Sequence, residues 1–234
     1  MARSTELTVL SRGGNLAEHI LVEVTLGVAV LALGSALMAA PARANVLDFS
    51  GNICSGPCVN FSFIDDTYGD IAGVVDVSYR NLLGDTNLTN LRYWSTDYND
   101  LVDVAWTDGG DGGSRAEIYI RPLNGEAVTL NSFDLGAWVN TTRTSTYTIL
   151  DGAMNVLLES GSIEVGSPPD HSHYDFTGLT SLDGIRIQWG PSAFNVGIDN
   201  ISYTLPGTPV PLPPAAALLG AGLLALVGRR RRTA

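Results

Sequence analysis

An all-β fold, a single β-sandwich or jelly roll flanked by an apolar helix at each end of the chain, is what this sequence predicts. Three observations carry that expectation. Between residues 59 and 203, short runs alternate apolar and polar side chains with period two, the pattern of strands half-buried on one face. Turn-forming groups separate the runs: the Asp-Gly-Gly-Asp-Gly-Gly stretch 108–113, Asn124-Gly125, Asp151-Gly152, Ser167-Pro168-Pro169-Asp170 and Asp183-Gly184. No helical period lasts outside the apolar stretches 20–40 and 215–228.

The chain has 234 residues. Residues 1–44 read as a signal peptide: 20–40 is mostly apolar, and Ala42-Arg43-Ala44 offers a small-x-small cleavage site that leaves Asn45 first. Glu6, Glu18 and Glu23 offset Arg3 and Arg12, so an uncleaved N-terminal anchor is the alternative. The body, residues 45–205, has the length of one domain with a sizeable core. Lysine is absent, and the body carries 21 acidic side chains against 6 arginines, a net charge near −15. A nucleic-acid partner needs a basic surface, so that class is excluded. The balance suits a secreted domain or one that binds cations.

Taken in order, the body begins with Cys54-Ser55-Gly56-Pro57-Cys58. In an exported chain the pair reads as a disulfide, with Gly56-Pro57 supplying the bend. A zinc site would need two more ligands nearby, and a redox pair prefers two intervening residues. Residues 59–64 are expected as a short strand. In 73–80, Val75, Val77 and Tyr79 alternate with Asp76, Ser78 and Arg80. The stretch 101–106 puts Val102, Val104 and Trp106 on one face, and Ala116, Ile118 and Ile120 alternate with Glu117, Tyr119 and Arg121. Further strands are expected over 127–130, 133–139, 145–150, 155–159, 185–189 and 196–203. In the last, Val196 and Ile198 share one face but Ile201 and Tyr203 fall on the other, so a bulge near Asp199-Asn200 must restore register.

Residues 206–214 form a proline-stiffened linker that ends in Val210, Pro211, Leu212, Pro213 and Pro214. The prolines force the apolar helix, 215–228, to start after them. From Leu212 to Gly228 is only 17 residues, about 25 Å of helix and the lower limit for a transmembrane span. Arg229, Arg230, Arg231 and Arg232 then make a basic stop in the cytoplasmic tail, 229–234. An ordinary single-pass anchor has the same outline. This layout resembles the PEP-CTERM family of sorting tails, in its Val-Pro-Leu-Pro-Ala variant. The resemblance implies that an exosortase-type membrane protease reads and cuts the tail. The cargo is then released to the cell surface or an exopolysaccharide matrix. The run Phe194-Asn-Val-Gly-Ile-Asp-Asn-Ile201 and the stretch Ser132 to Trp138 also resemble jelly-roll domains in such proteins, which look like carbohydrate-binding modules. That resemblance implies a structural calcium ion joining first strand to last, with Asp48 and Asp199 as its ligands.

Catalytic chemistry is not evident. The Gly-x-Ser-x-Gly elbow, His-Glu-x-x-His and phosphate-binding glycine motifs are missing. Asp65-Asp66 with Asp70, the group Asp97, Asp100 and Asp103, and Asp108 with Asp111 offer the hard oxygen ligands calcium takes, and read equally as solvated turns. His171 and His173, at i and i+2, would share a strand face and hold a metal, or lie in a polar loop. Tyr93, Trp94 and Tyr98, in a polar stretch, are the aromatics placed to stack on sugars; aromatics in strands otherwise belong to the core. Three functions are open. The first is a non-catalytic, exopolysaccharide-associated surface or matrix protein in the biofilm. The second is a calcium-stabilised carbohydrate-binding module. The third is a polysaccharide hydrolase.

Overall fold

The computed structural model describes residues 43–205, apart from 84–85 and 111–112. Residues 1–42 of the expected signal peptide, the expected linker, sorting motif at 210–214 and tail helix, and Arg229 to Arg232 lie outside the described residues, as does Asp111. Strands account for most of what is described. In chain order they are β1 (Arg43–Leu47), β2 (Val75–Leu83), β3 (Thr86–Thr89), β4 (Arg92–Trp94) and β5 (Val104–Trp106). There follow β6 (Arg115–Pro122), β7 (Val128–Ala137), β8 (Arg143–Asp151) and β9 (Val156–Glu159). The last four are β10 (Ile163–Val165), β11 (Ser172–Ser181), β12 (Ile185–Gly190) and β13 (Val196–Leu205).

Among the described residues these strands make two sheets. The first runs β11-β7-β13-β5-β4, with β1 also paired to β13. The second runs β10-β8-β12-β6-β2-β3, with β9 also on β8. Every pairing between named strands is antiparallel. Period-two alternation explains why they stack. Val75, Val77 and Tyr79 of β2, Ile118 and Ile120 of β6, and Ile185, Ile187 and Trp189 of β12 are buried on one face of the second sheet. Leu130, Phe133 and Leu135 of β7, with Ile198, Ile201 and Tyr203 of β13, meet them from the first. The bulge needed in β13 is present. Register with β7 shifts between Asp199 and Ser202, Asn200 takes φ +51°, and both Ile198 and Ile201 reach the core.

Several expected strands need correction. Residues 59–64 are turn and bridge rather than a strand: only Phe63 and Ile64 make isolated bridges. Phe61 there has φ +77°, which turns its ring outward. The 101–106 stretch shortens to β5, because Asp103 at φ +68° breaks the alternation and leaves Val102 59% exposed while Val104 and Trp106 are buried. The pair 127–130 and 133–139 is one strand, β7. The polar stretch at His171 and His173 becomes edge strand β11, whose Tyr174 and Phe176 pack on the core while His173 and Asp175 face out.

The expected disulfide is formed: Cys54 and Cys58 are bonded with their Cα atoms 5.3 Å apart. So small a loop contributes less than the ~3 kcal/mol of a 15-residue one. It pins a local bend, which lets Cys54 bridge Ile64 and Asp65 N donate to Ile53 O at 2.9 Å.

The shared core sets a contrast. Ile187→Ala, at a fully buried side chain, should cost about 2–5 kcal/mol. Val156→Ala, on the exposed side of β9, should stay within about 0.5 kcal/mol. Urea midpoints at unchanged m-value measure both. Equal costs would mean that the two sheets do not share one core.

Candidate functional site

The site is built on the outer face of the first sheet. Ile198 and Leu135 are abreast and point into the core, so their neighbours in β13 and β7 point outward. Two of those outward positions, Gly136 and Gly197, are abreast and carry no side chain. A Cβ on Gly136 would lie 2.3 Å from Tyr98 O, and one on Gly197 2.8 Å from Val104 Cγ2. The paired glycines thus leave a trough, and residues 95–103 lie in it. Asn99 holds that segment down: its Oδ1 accepts from Ala137 N at 2.6 Å and its Nδ2 donates to Thr141 O at 3.1 Å. Tyr98 OH donates to Phe194 O at 2.9 Å.

Beside the segment, a second apolar cluster gathers on this outer face: Tyr98, Leu101, Val104 and Trp106, with Trp94, Trp138 and Phe194 against them. Phe61, Trp94, Tyr98, Trp106, Trp138 and Phe194 line a small open cleft of about 40 Å³. The rings meet edge to face. Trp106 lies 5.5 Å from Phe61, 5.7 Å from Trp94 and 5.3 Å from Phe194, with interplanar angles of 74°, 90° and 77°. Trp94 also meets Trp138 at 6.0 Å. Each such pair adds about 0.5–1.5 kcal/mol beyond area burial. Phe61, the ring turned outward by its positive φ, remains 54% exposed at the mouth.

The cleft wall is almost wholly aromatic. The indole N–H groups of Trp94 and Trp106 are buried within the cluster and have no acceptor among the described residues. An unmet buried donor costs about 1–3 kcal/mol. The exposed lining of the cleft is apolar, which favours a ligand with C–H faces that stack on the rings.

Of the three predicted sugar-stacking residues, the structure places Trp94 and Tyr98 in this cleft. Tyr98 is only 2% exposed, so it contributes a wall rather than a platform. Tyr93 sits on the opposite face of β4, 8% exposed and packed in the main core, with its hydroxyl bonded to Asp103. Phe61, Trp106, Trp138 and Phe194 were not distinguished from core aromatics by sequence. They come from four separate stretches, and only the fold brings them together.

The predicted metal ligands lie further along the same face. β1 pairs with β13 so that Leu47 faces Ile201, which brings Asp48 near Asn200. Asp48 accepts from Ser50 N at 3.1 Å, Ser50 Oγ at 3.0 Å and Tyr68 OH at 3.3 Å. Burial opposes its charge, but these bonds hold its carboxyl below the usual value. Asp199 is 4% exposed, abreast of Asp134, itself 5% exposed. Burial first, and then the charges of Asp134, Asp48 and Asp103, push Asp199 up to about 8, against a hydrogen bond from Asn200 N. Asp199 thus feels the charge of Asp48 within a larger carboxylate group. Among the described residues, no three His, Cys, Asp or Glu side chains form a preassembled metal site.

No family model matches the chain, and no curated protein does. Among solved structures, it is similar to the enzymatically active domain of tailspike protein 4 of bacteriophage CBA120, at 16% identity and a TM-score of 0.29. That match covers 68% of this chain and 21% of the phage chain, and a likeness so slight carries neither fold nor function.

The pH dependence of Asp199 follows from its sign. Its folded pKa lies above the unfolded value, so the folded state binds the extra proton. Stability attached to this group is complete below pH ~3.8 and is lost as pH rises through about 8. Asp199→Asn keeps an acceptor for Asn200 N and removes the charge. It should raise Tm relative to the parent at pH 8.5 and leave it nearly unchanged at pH 4. A variant that is less stable than the parent at pH 8.5 would show that the charged carboxylate is held by something favourable.

Proposed function

We propose that this chain is an exported, non-catalytic ligand-binding protein of the cell surface or exopolysaccharide matrix. The single observation that carries ligand binding is the aromatic cleft on the outer face of the first sheet. A sugar ring suits such a cleft, since its axial C–H bonds stack on aromatic faces. The formed Cys54–Cys58 bridge supports an oxidising destination. The Val210 to Pro214 motif, the short apolar helix and the four arginines support delivery by sorting, with an exosortase-type protease cutting near the motif. In this reading the membrane holds the chain only until it is processed.

Two measurements test it. Intact mass of surface-located protein should show loss of 215–234, with the cut between 210 and 214; a species still ending at Ala234 makes the tail an ordinary anchor. On a glycan array the protein should bind without releasing reducing sugar. Trp94→Ala and Trp138→Ala should then each weaken binding roughly tenfold, the equivalent of about 1.4 kcal/mol. Unchanged affinity in both variants would place the ligand elsewhere, and turnover would make the protein a hydrolase.

A second reading is a calcium-stabilised carbohydrate-binding module. The buried Asp199 carboxyl facing Asp134, Asp48 and Asp103 favours it. Asp48 and Asp199 would supply the ligands, and the ion would offset their mutual repulsion. Calcium should then raise Tm by mass action, more at pH 8.5 than at pH 5, where Asp199 holds a proton. A melting curve indifferent to calcium and to chelator at both pH values would exclude the ion.

A further inference from the structure

Five ionisable side chains form a continuous chain across the outer face beyond the cleft. Asp100, in the 95–103 segment, accepts from His171 N at 2.8 Å, and its Oδ1 lies 2.7 Å from His171 Nδ1. The other ring nitrogen, His171 Nε2, is 3.5 Å from Asp134 Oδ2. Asp134 Oδ1 is 2.5 Å from His173 Nδ1, and His173 Nε2 is 3.1 Å from Asp175 Oδ1. The order is Asp100, His171, Asp134, His173, Asp175. It ties the 95–103 segment to β7 and to edge strand β11.

Both ring nitrogens of both histidines therefore face carboxylate oxygens. A neutral imidazole has one N–H and one lone pair, so it satisfies one carboxylate and repels the other. Only the imidazolium donates from both nitrogens. We propose that His171 and His173 form a proton-operated latch, closing the 95–103 segment and β11 onto the sheet as imidazoliums and loosening both when they lose their protons.

The surrounding charges set the direction. Facing the two rings are Asp134 from β7, Asp175 from β11 and Asp100 from the 95–103 segment. Behind Asp134 stands Asp199 of β13, which also feels Asp48 from the end of β1 and Asp103 from the 95–103 segment. Asp170 precedes the pair in sequence. Among the described residues no arginine is ion-paired to any of these carboxylates, so the imidazoliums are the cations that face them. Asn200 Nδ2 donates to Asp134 Oδ2 at 2.8 Å, a neutral contact that persists at any pH. The hydrogen bond to Asp134 chiefly raises the His173 pKa, against burial. A raised histidine gives stability that is complete below pH ~6.5 and is lost as pH rises through the folded value. Asn99 and Tyr98 continue to hold the segment, so the change is a local loosening, not unfolding. The segment walls the cleft, but the latch stands on its own geometry whatever ligand the cleft takes.

The test uses the full-length protein in chelator at constant ionic strength. Amide hydrogen exchange is followed at pH 5.5 and 8.5 and corrected for intrinsic rates. Exchange over 95–103 and 170–176 should rise roughly tenfold at the higher pH, with β6 and β12 unchanged. The His171→Gln, His173→Gln double variant should exchange rapidly at both pH values. Asp100→Asn, which keeps the acceptor for His171 N, serves as the milder variant and should flatten the dependence in 95–103. Equal protection of the two segments at both pH values in the parent would overturn the latch. So would a pH dependence that survives in the double variant and in Asp100→Asn, or one that spreads equally through β6 and β12.

Discussion

A sheet face can take a second layer of chain only where its own side chains stand aside. Here that happens at Gly136 and Gly197, abreast on neighbouring strands. Tyr98 O and Val104 come so close that a methyl group at either position would collide with them. Everything on the outer face follows from this approach. Residues 95–103 lie in the trough, β5 contributes Val104 and Trp106 outward, and the aromatic rings collect beside them. The interior stays closed because Ala105, between those two residues, turns into the main core. One short strand thus feeds two apolar clusters, one on each face of its sheet.

The fold was legible where burial imposes strict alternation. β2, β6 and β12 each put three aliphatic or aromatic residues on one face, and no other register buries them. The bulge in β13 was legible for the same reason, since Ile198 and Ile201 cannot both reach the core without it. Strand β11 was hidden because its outward positions are polar and it follows two prolines, although Tyr174 and Phe176 kept the period. The 59–64 and 101–106 stretches misled for a backbone reason: Phe61 and Asp103 take positive φ, which no apolar pattern announces.

The site was legible only in part, and the limit is physical. Trp94 stood out because its neighbours are polar. Trp106, Trp138 and Phe194 look like core residues and are packed into an apolar cluster, only on the other side of the sheet, with Phe61 exposed at its mouth. Asp199 could be named from the resemblance of the closing strand to jelly-roll domains. Asp134 carried a quieter signal: a lone acid between Phe133 and Leu135, whose partner across the strand is another acid. Pairing register, not sequence spacing, turns those two into neighbours, and His173 comes against Asp134 only once β11 is recognised as a strand.

The pairing of β1 with β13 gives the domain a particular response to load. Asn45, first after the expected cleavage, lies opposite Tyr203, so the chain enters and leaves the described domain side by side. A force applied through those two points acts across the antiparallel ladder, along its hydrogen bonds, and breaks them one after another. β1 would peel away like a zipper, at low tension, while the sheets beneath stay closed. The aromatic cleft is at the other end of β13, where Val196 faces Ala137. Tension carried by the chain ends would therefore be spent on β1 before it reached the rings.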